Sequence, residues 1–172
     1  MQKINRKIYV IALGLLFSTI NGFGQDKRDL TFKDITFSAG VPYIDENLGL
    51  QISLGTSVSI ENNIFKAFVS GAREFELAFG SSEPDNIQEY DLLYGRSFSI
   101  SEKMLLEVYG GAGYVLANKN LKKEKLVGFP LQCQLIFPVQ RKINFGIQLH
   151  SNINNFMSYF SLGFLMKLNF NK

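Results

Sequence analysis

The chain has 172 residues, 46% of them hydrophobic and only 19% charged, with 16 phenylalanines, no tryptophan, one histidine and one cysteine. Its formal charge of +3 belongs to Lys3, Arg6 and Lys7; without them 15 basic side chains stand against 15 acidic ones, which excludes the basic stripe a nucleic-acid partner requires. The single Cys133 excludes a disulfide framework and a cysteine metal cluster, and argues against redox chemistry.

The three N-terminal cations precede the apolar run VIALGLLFSTI, and NGFGQD follows with small residues at Gly22 and Gly24. This pattern reads as a secretory signal peptide over residues 1–24, cleaved after Gly24, because the run falls well short of the ~20 residues a spanning helix needs. Residues 25–32 are polar and expected to be flexible, and 33–172 are expected to form one domain.

From there the apolar residues alternate with a period of two, the signature of strands with two unlike faces. Ile35, Phe37, Ala39, Val41 and Tyr43 form the first strand, and Leu48, Leu50, Ile52, Leu54, Val58 and Ile60 the second. The third runs from Phe65 to Phe79, the fourth from Tyr90 to Ile100, and the fifth from Met104 to Leu116. Val127 to Phe137 gives the sixth and Ile143 to Leu149 the seventh. In the eighth, Phe160, Leu162, Phe164, Met166, Leu168 and Phe170 share one parity. IENN, ISEK and VQRK are tight polar turns at one end; PYIDEN, SSEPDN, NKNLKKEK and SNINN are the connections at the other. The result is an all-β, eight-stranded antiparallel up-and-down barrel. Pro130 and Pro138 strain that reading, because proline removes a ladder donor; Pro138 can end a strand, whereas Pro130 predicts a local break.

A soluble ligand-binding barrel would alternate too, so the polar face decides. It is dominated by Gly and Ser, such as Gly40, Gly55, Ser57, Ser70, Gly95, Gly113 and Ser161, and not by the Lys, Glu and Thr of a solvated exterior. An eight-stranded barrel has just enough interior for side chains to fill, so small residues point in and bulky ones out, toward lipid. A sheet in hydrocarbon must also close, since each unpaired amide there costs several kcal/mol. A transmembrane β-barrel follows.

The final stretch resembles the C-terminal assembly signal of Gram-negative outer-membrane barrels through Ser161, Gly163, Met166, Leu168 and Phe170, although Asn171 and Lys172 follow the terminal aromatic. The mature chain as a whole resembles small outer-membrane proteins of the OmpA/OmpX type. That resemblance implies location in the outer membrane, contact with its lipid and lipopolysaccharide, folding by the barrel assembly machinery, and no particular activity; a monomer is expected.

Few residues suggest chemistry. His150 and Ser151 are similar to part of the catalytic set of barrel lipid A deacylases, but neighbours on a strand point to opposite faces, and a nucleophile must share a face with its base. Ser161 shares the inward parity of His150, yet the inward positions of strands six to eight supply no carboxylate to orient the imidazole. No catalytic residue, metal site or cofactor is therefore expected. The glycine-rich YGGAGY at 109–114 lacks the helix and lysine of a phosphate loop; its glycines are expected to admit facing lumen side chains or a bend.

More informative is an inward charge cluster comprising Arg73, Glu74, Glu76, Glu89, Asp91 and Arg96. Hairpin arithmetic around SSEPDN places Glu76 opposite Asp91. Parity sends Arg73 and Arg96 to the lipid face, so bulges at Gly71 and Gly95 are expected to turn them inward onto the acids. Such a lumen is plugged by salt bridges and suits a structural or surface-interaction role; a narrow cation-preferring path is the alternative, and a lipid A hydrolase a further one. Lys119, Lys122, Lys123 and Lys125, around the NLKKEK connection, form a possible lipopolysaccharide-facing loop.

Overall fold

In a computed structural model, the described residues are 30–44, 47–75, 85–119, 122–138 and 142–170. The signal-peptide segment 1–24 and Glu76 lie outside them, as does most of the segment 25–32. Among the described residues eight strands occur: β1 (Thr31–Ile44), β2 (Asn47–Ile60), β3 (Asn63–Glu74), β4 (Asn86–Ser101), β5 (Met104–Lys119), β6 (Lys122–Pro138), β7 (Ile143–Ile153) and β8 (Tyr159–Asn169). Each pairs antiparallel with its sequence neighbours. β1 closes on β8, from Asp34 opposite Asn169 to Ile44 opposite Tyr159, so the sheet is a closed barrel.

The turns at 61–62 and 102–103 lie at the same end as the start of β1 and the end of β8. Glu61 adopts a positive φ of 54° there, the left-handed conformation that a short hairpin turn demands. The opposite end carries the connections between β1 and β2, β3 and β4, β5 and β6, and β7 and β8, and is called the loop end below.

Alternation sorts the faces as a membrane requires. Leu92 and Phe164 are 74% and 79% exposed, and they stand among Leu54, Val69, Tyr90, Leu131 and Leu162 on a continuous apolar exterior. The buried polar set includes Thr36, Gln51, Ser53, Lys66, Ser70, Glu89, Gln132, Gln134, Gln148 and Lys167. A water-soluble barrel has the reverse arrangement. Aromatic pairs mark both rims: Tyr43 with Phe160 at 5.6 Å toward the loop end, and Phe65 with Tyr94 at 5.5 Å and Phe32 with Phe170 at 5.1 Å toward the turn end. Such girdles sit at the two membrane interfaces of outer-membrane barrels.

Several boundaries differ from the sequence expectation. β1 opens at Thr31, within the segment expected to be loose, and β3 spans Asn63–Glu74, while the rest of its expected course, 76–79, lies outside the described residues. Residues 122–125 belong to β6, where Lys123 pairs with Asn118 and Lys122 with Lys119, so the lysine run is a strand ribbon and not a connection. The expected break at Pro130 is present: the β5–β6 ladder is interrupted between Gly110–Leu131 and Gly113–Gly128 without loss of register. Pro42 makes a matching gap in the β1–β2 ladder, between Gly40–Gln51 and Tyr43–Leu48. In both places proline lacks the N–H that the ladder needs.

Candidate functional site

The candidate site is the lumen. Strand parity sends every second side chain of all eight strands into one narrow tube, so residues far apart in sequence meet across it. Two polar groupings result, with an apolar cap over one of them.

The first grouping is ionic. Lys167 of β8 is 1% exposed and donates to Asp34 Oδ2 of β1 at 3.3 Å and to Glu107 Oε2 of β5. Glu107 also accepts from Lys33 Nζ at 2.5 Å and from the Tyr109 hydroxyl at 2.6 Å, while Thr36 Oγ1 donates to Asp34 Oδ1 at 3.0 Å. Lys66 stands beside them, donating to Gln132 Oε1 at 2.9 Å, with its ammonium over the Phe68 and Tyr109 rings at 5.5 and 5.0 Å. A chain of amides and hydroxyls continues across the tube: Gln134 donates to Gln132 and Gln148, Gln148 donates to Ser38, and Ser38 meets Ser53.

The second grouping is acidic. Glu89 and Asp91 of β4 and His150 of β7 are all buried, and His150 Nε2 lies 2.9 Å from Glu89 Oε2. One ligand atom from each of the three residues falls within 4.8 Å of those of the other two. The imidazole is flanked by Phe68 at 5.0 Å and Tyr159 at 5.8 Å; the Tyr159 hydroxyl accepts from Gln51 Nε2 at 2.9 Å and lies 3.3 Å from Ser70 Oγ. Above this grouping Ile44, Ala72, Ile87, Val115, Ala117, Met157 and Tyr159 pack together at the loop end. Asn154 folds Met157 into that cap: its Oδ1 accepts the N–H groups of Phe156 and Met157, and its Nδ2 donates to the Met157 carbonyl.

Against these positions the expected charge cluster divides. Glu89 and Asp91 are inside as expected, but Asp91 pairs with Phe68 and Glu89 with Ser70, so the expected Glu76–Asp91 register is wrong, and Glu76 itself lies outside the described residues. Glu74 sits at the rim, its carboxylate accepting from Asn47 Nδ2 and the Asp85 N–H, both at 3.3 Å. Arg73 and Arg96 are exposed and do not enter the lumen. No register shift occurs between β3 and β4, so the expected bulges at Gly71 and Gly95 are absent from this ladder. Parity suffices because both arginines stand near strand ends, Arg73 opposite Asn86 and Arg96 opposite Asn63, where an interfacial cation costs about 0–1 kcal/mol.

The lumen's actual cations are Lys33, Lys66 and Lys167, which sequence reasoning missed. Lys66, between Phe65 and Ala67, and Lys167, between Met166 and Leu168, occupy the polar parity of their strands, which was the available signal; Lys33 shares the apolar parity of Ile35 and Phe37 and reaches Glu107 beside the shift in the β1–β2 register between Phe32 and Asp34. The absence of a carboxylate near His150 is likewise corrected: the acid comes from β4, across the tube. Among the described residues no serine completes a triad: Nε2 is engaged by Glu89 and Nδ1 has no hydrogen-bond partner. Ser151 donates instead to the Tyr159 carbonyl at 3.0 Å. Of YGGAGY, Gly113 opposes Asp91, and a Cβ there would collide with that carboxylate. Lys122, Lys123 and Lys125 are exposed at the loop end. In β8 Ser161 is buried, and Phe170 beyond it meets Phe32.

No protein-family description and no curated protein matches the sequence. Solved structures do match the fold. Neisserial surface protein A superposes with a TM-score of 0.65 at 8% identity, over 81% of this chain and 96% of that one. Ail, the attachment invasion locus protein of Yersinia pestis, gives 0.56 at 12% identity over 81% and 99%; it has also been solved with the heparin analogue sucrose octasulfate. The outer membrane enzyme PagL gives 0.50 at 12% identity over 80% and 99%. The chain therefore has the fold of the small eight-stranded outer-membrane β-barrels, a transmembrane architecture; identities this low establish the fold and no activity.

Proposed function

We propose that this protein is a non-enzymatic barrel of the outer membrane whose lumen is held shut, and that it acts through its loop-end rim in a structural or surface-interaction role. The observation that carries this reading is the double closure of the tube. The Lys167–Asp34–Glu107–Lys33 grouping and the Gln132–Gln134–Gln148 chain fill its cross-section, and the Ile44–Ile87–Val115–Met157 cap fills its loop end. A hydrated ion crossing it would have to break buried ion pairs and then enter an apolar constriction, and hydrophobic constrictions exclude water and ions. At the rim, Lys122, Lys123 and Lys125 would meet lipopolysaccharide phosphates, since the loop end of this class faces outward. Assembly through β8 by the barrel assembly machinery belongs to the same reading.

The test is planar-bilayer recording of the mature chain together with fractionation of the cells that make it. No conductance steps, and recovery in the outer-membrane fraction, are expected; regular cation-selective steps would replace this reading with the narrow channel, to which Glu89 and Asp91 would contribute.

A further inference from the structure

The acidic grouping in the lumen has more binding capacity than its neighbours use. Glu89, Asp91 and His150 are 0%, 3% and 1% exposed. One hydrogen bond of good geometry forms among them, from His150 Nε2 to Glu89 Oε2, and the Asp91 carboxyl stands against that of Glu89. The second oxygen of Glu89, both oxygens of Asp91 and His150 Nδ1 have no hydrogen-bond partner. Buried polar atoms are almost always satisfied, and one left over calls for a specific explanation. Here four converge from two facing walls of the tube. The lysines do not answer them: Lys33 and Lys167 are bound to Glu107 and Asp34, and Lys66 to Gln132, with the Phe68 ring lying between Lys66 and His150.

We infer that Glu89, Asp91 and His150 form a binding site for one divalent transition-metal ion, with Zn2+ the simplest occupant. Two carboxylates match a dication in charge, and an imidazole nitrogen selects the transition series over Mg2+ and Ca2+, which prefer all-oxygen shells. The spacing calls for a side-chain closure of up to about 1.4 Å: bonds of roughly 2.0–2.2 Å around a tetrahedral ion put ligand atoms about 3.4 Å apart, and the three ligand atoms lie within 4.8 Å of one another. Gly113 leaves open the space into which the Asp91 carboxylate projects. Beside the ligands Tyr159 packs its ring 5.8 Å from that of His150 and is itself held by Gln51 and Ser70. The apolar cap above seals the site from the loop end, so a bound ion exchanges slowly and serves a structural role inside the plug.

The experiment uses the mature chain without an affinity tag, refolded in detergent, stripped with EDTA and titrated with zinc chloride by calorimetry, with metal content read by mass spectrometry. One zinc per chain is expected. Asp91→Asn and His150→Gln each should weaken binding by more than ~100-fold, since even outer-shell substitutions cost 10–100-fold. Glu102→Gln, at the exposed turn, should leave it unchanged. Failure to bind zinc stoichiometrically, or binding that survives both substitutions, overturns the site. Should the variants fail to refold, the cobalt form of the unaltered chain decides: a visible ligand-field band with nitrogen and oxygen donors supports the assignment, and its absence overturns it.

Discussion

Replacing Lys167 by methionine keeps most of the length of the side chain and removes one ammonium from the ionic grouping. In the intact barrel that ammonium, 1% exposed, bridges Asp34 and Glu107. After the substitution Glu107 keeps Lys33 and the Tyr109 hydroxyl, but Asp34 keeps only the Thr36 hydroxyl. Lys66 does not take over, since its hydrogen bond goes to Gln132. Asp34 is then a buried carboxylate without a cation, and breaking a buried pair from one side costs about 3–5 kcal/mol. Set against a total stability of about 5–15 kcal/mol, that is a fifth or more of the fold. Lys33→Met should cost far less, about 1 kcal/mol, because its side chain is 22% exposed and water screens the pair. Adding Asp34→Asn to Lys167→Met should recover much of the loss, as contacting residues couple by 0.5–3 kcal/mol or so. The assay is equilibrium urea unfolding in lipid vesicles, followed by the gel shift of folded barrel or by tyrosine emission, the chain having no tryptophan. If Lys167→Met lies within about 1 kcal/mol of the unaltered chain, or Lys33→Met proves the more damaging, the ionic grouping does not hold this lumen together.

Two further outcomes follow from the same geometry. Leu92→Arg places a guanidinium at mid-strand on the exterior, opposite Ala67 and Ala112, and should cost about 2–4 kcal/mol with reduced insertion into vesicles, whereas Arg96→Leu near the turn end should change stability by less than about 1 kcal/mol; equal effects would mean that no hydrocarbon belt surrounds this face. Gly113→Ala drives a Cβ against the Asp91 carboxylate and should destabilise by about 1–3 kcal/mol in the same unfolding assay, while a neutral result would show that Asp91 points elsewhere.

Period-two alternation was enough to read the strand number, the antiparallel order and the inside-out faces, because in a closed barrel one bit per residue decides lipid or lumen. It carried the inward placement of Glu89, Asp91 and His150 for the same reason. What it lacked was the third dimension. Parity says that Glu107 and Lys167 both enter the tube, but their meeting depends on how far each strand is staggered around the barrel, and that emerges only when β1 closes on β8. Register fails at the β3–β4 hairpin: counting outward from SSEPDN sets Asp91 opposite Glu76, whereas the ladder pairs it with Phe68. The expected inward turn of Arg73 and Arg96 had a different source. The acids on the hairpin point to its own arginines as partners, whereas the inward lysines are Lys66 of β3 and Lys167 of β8, and Lys33 enters only beside the irregularity between Phe32 and Asp34 that parity does not show.

The separation of the two lumen groupings bears on why carboxylates are there at all. Gln132, Gln134 and Gln148 fill the middle of the tube with neutral amides that bond to one another and to Ser38, which shows that this barrel can be plugged without charge. Asp34 and Glu107 are charged but matched by Lys33 and Lys167. Glu89 and Asp91 are neither amides nor matched by a lysine, and a buried carboxylate without a cation is destabilising where glutamine or asparagine in its place would be nearly neutral. If plugging were the whole of the lumen's task, positions 89 and 91 would be the costliest way to achieve it. A positive partner from outside the chain would offset their charge, and His150, set against Glu89 with no hydrogen-bond partner on its other nitrogen, supplies the donor type that favours a metal.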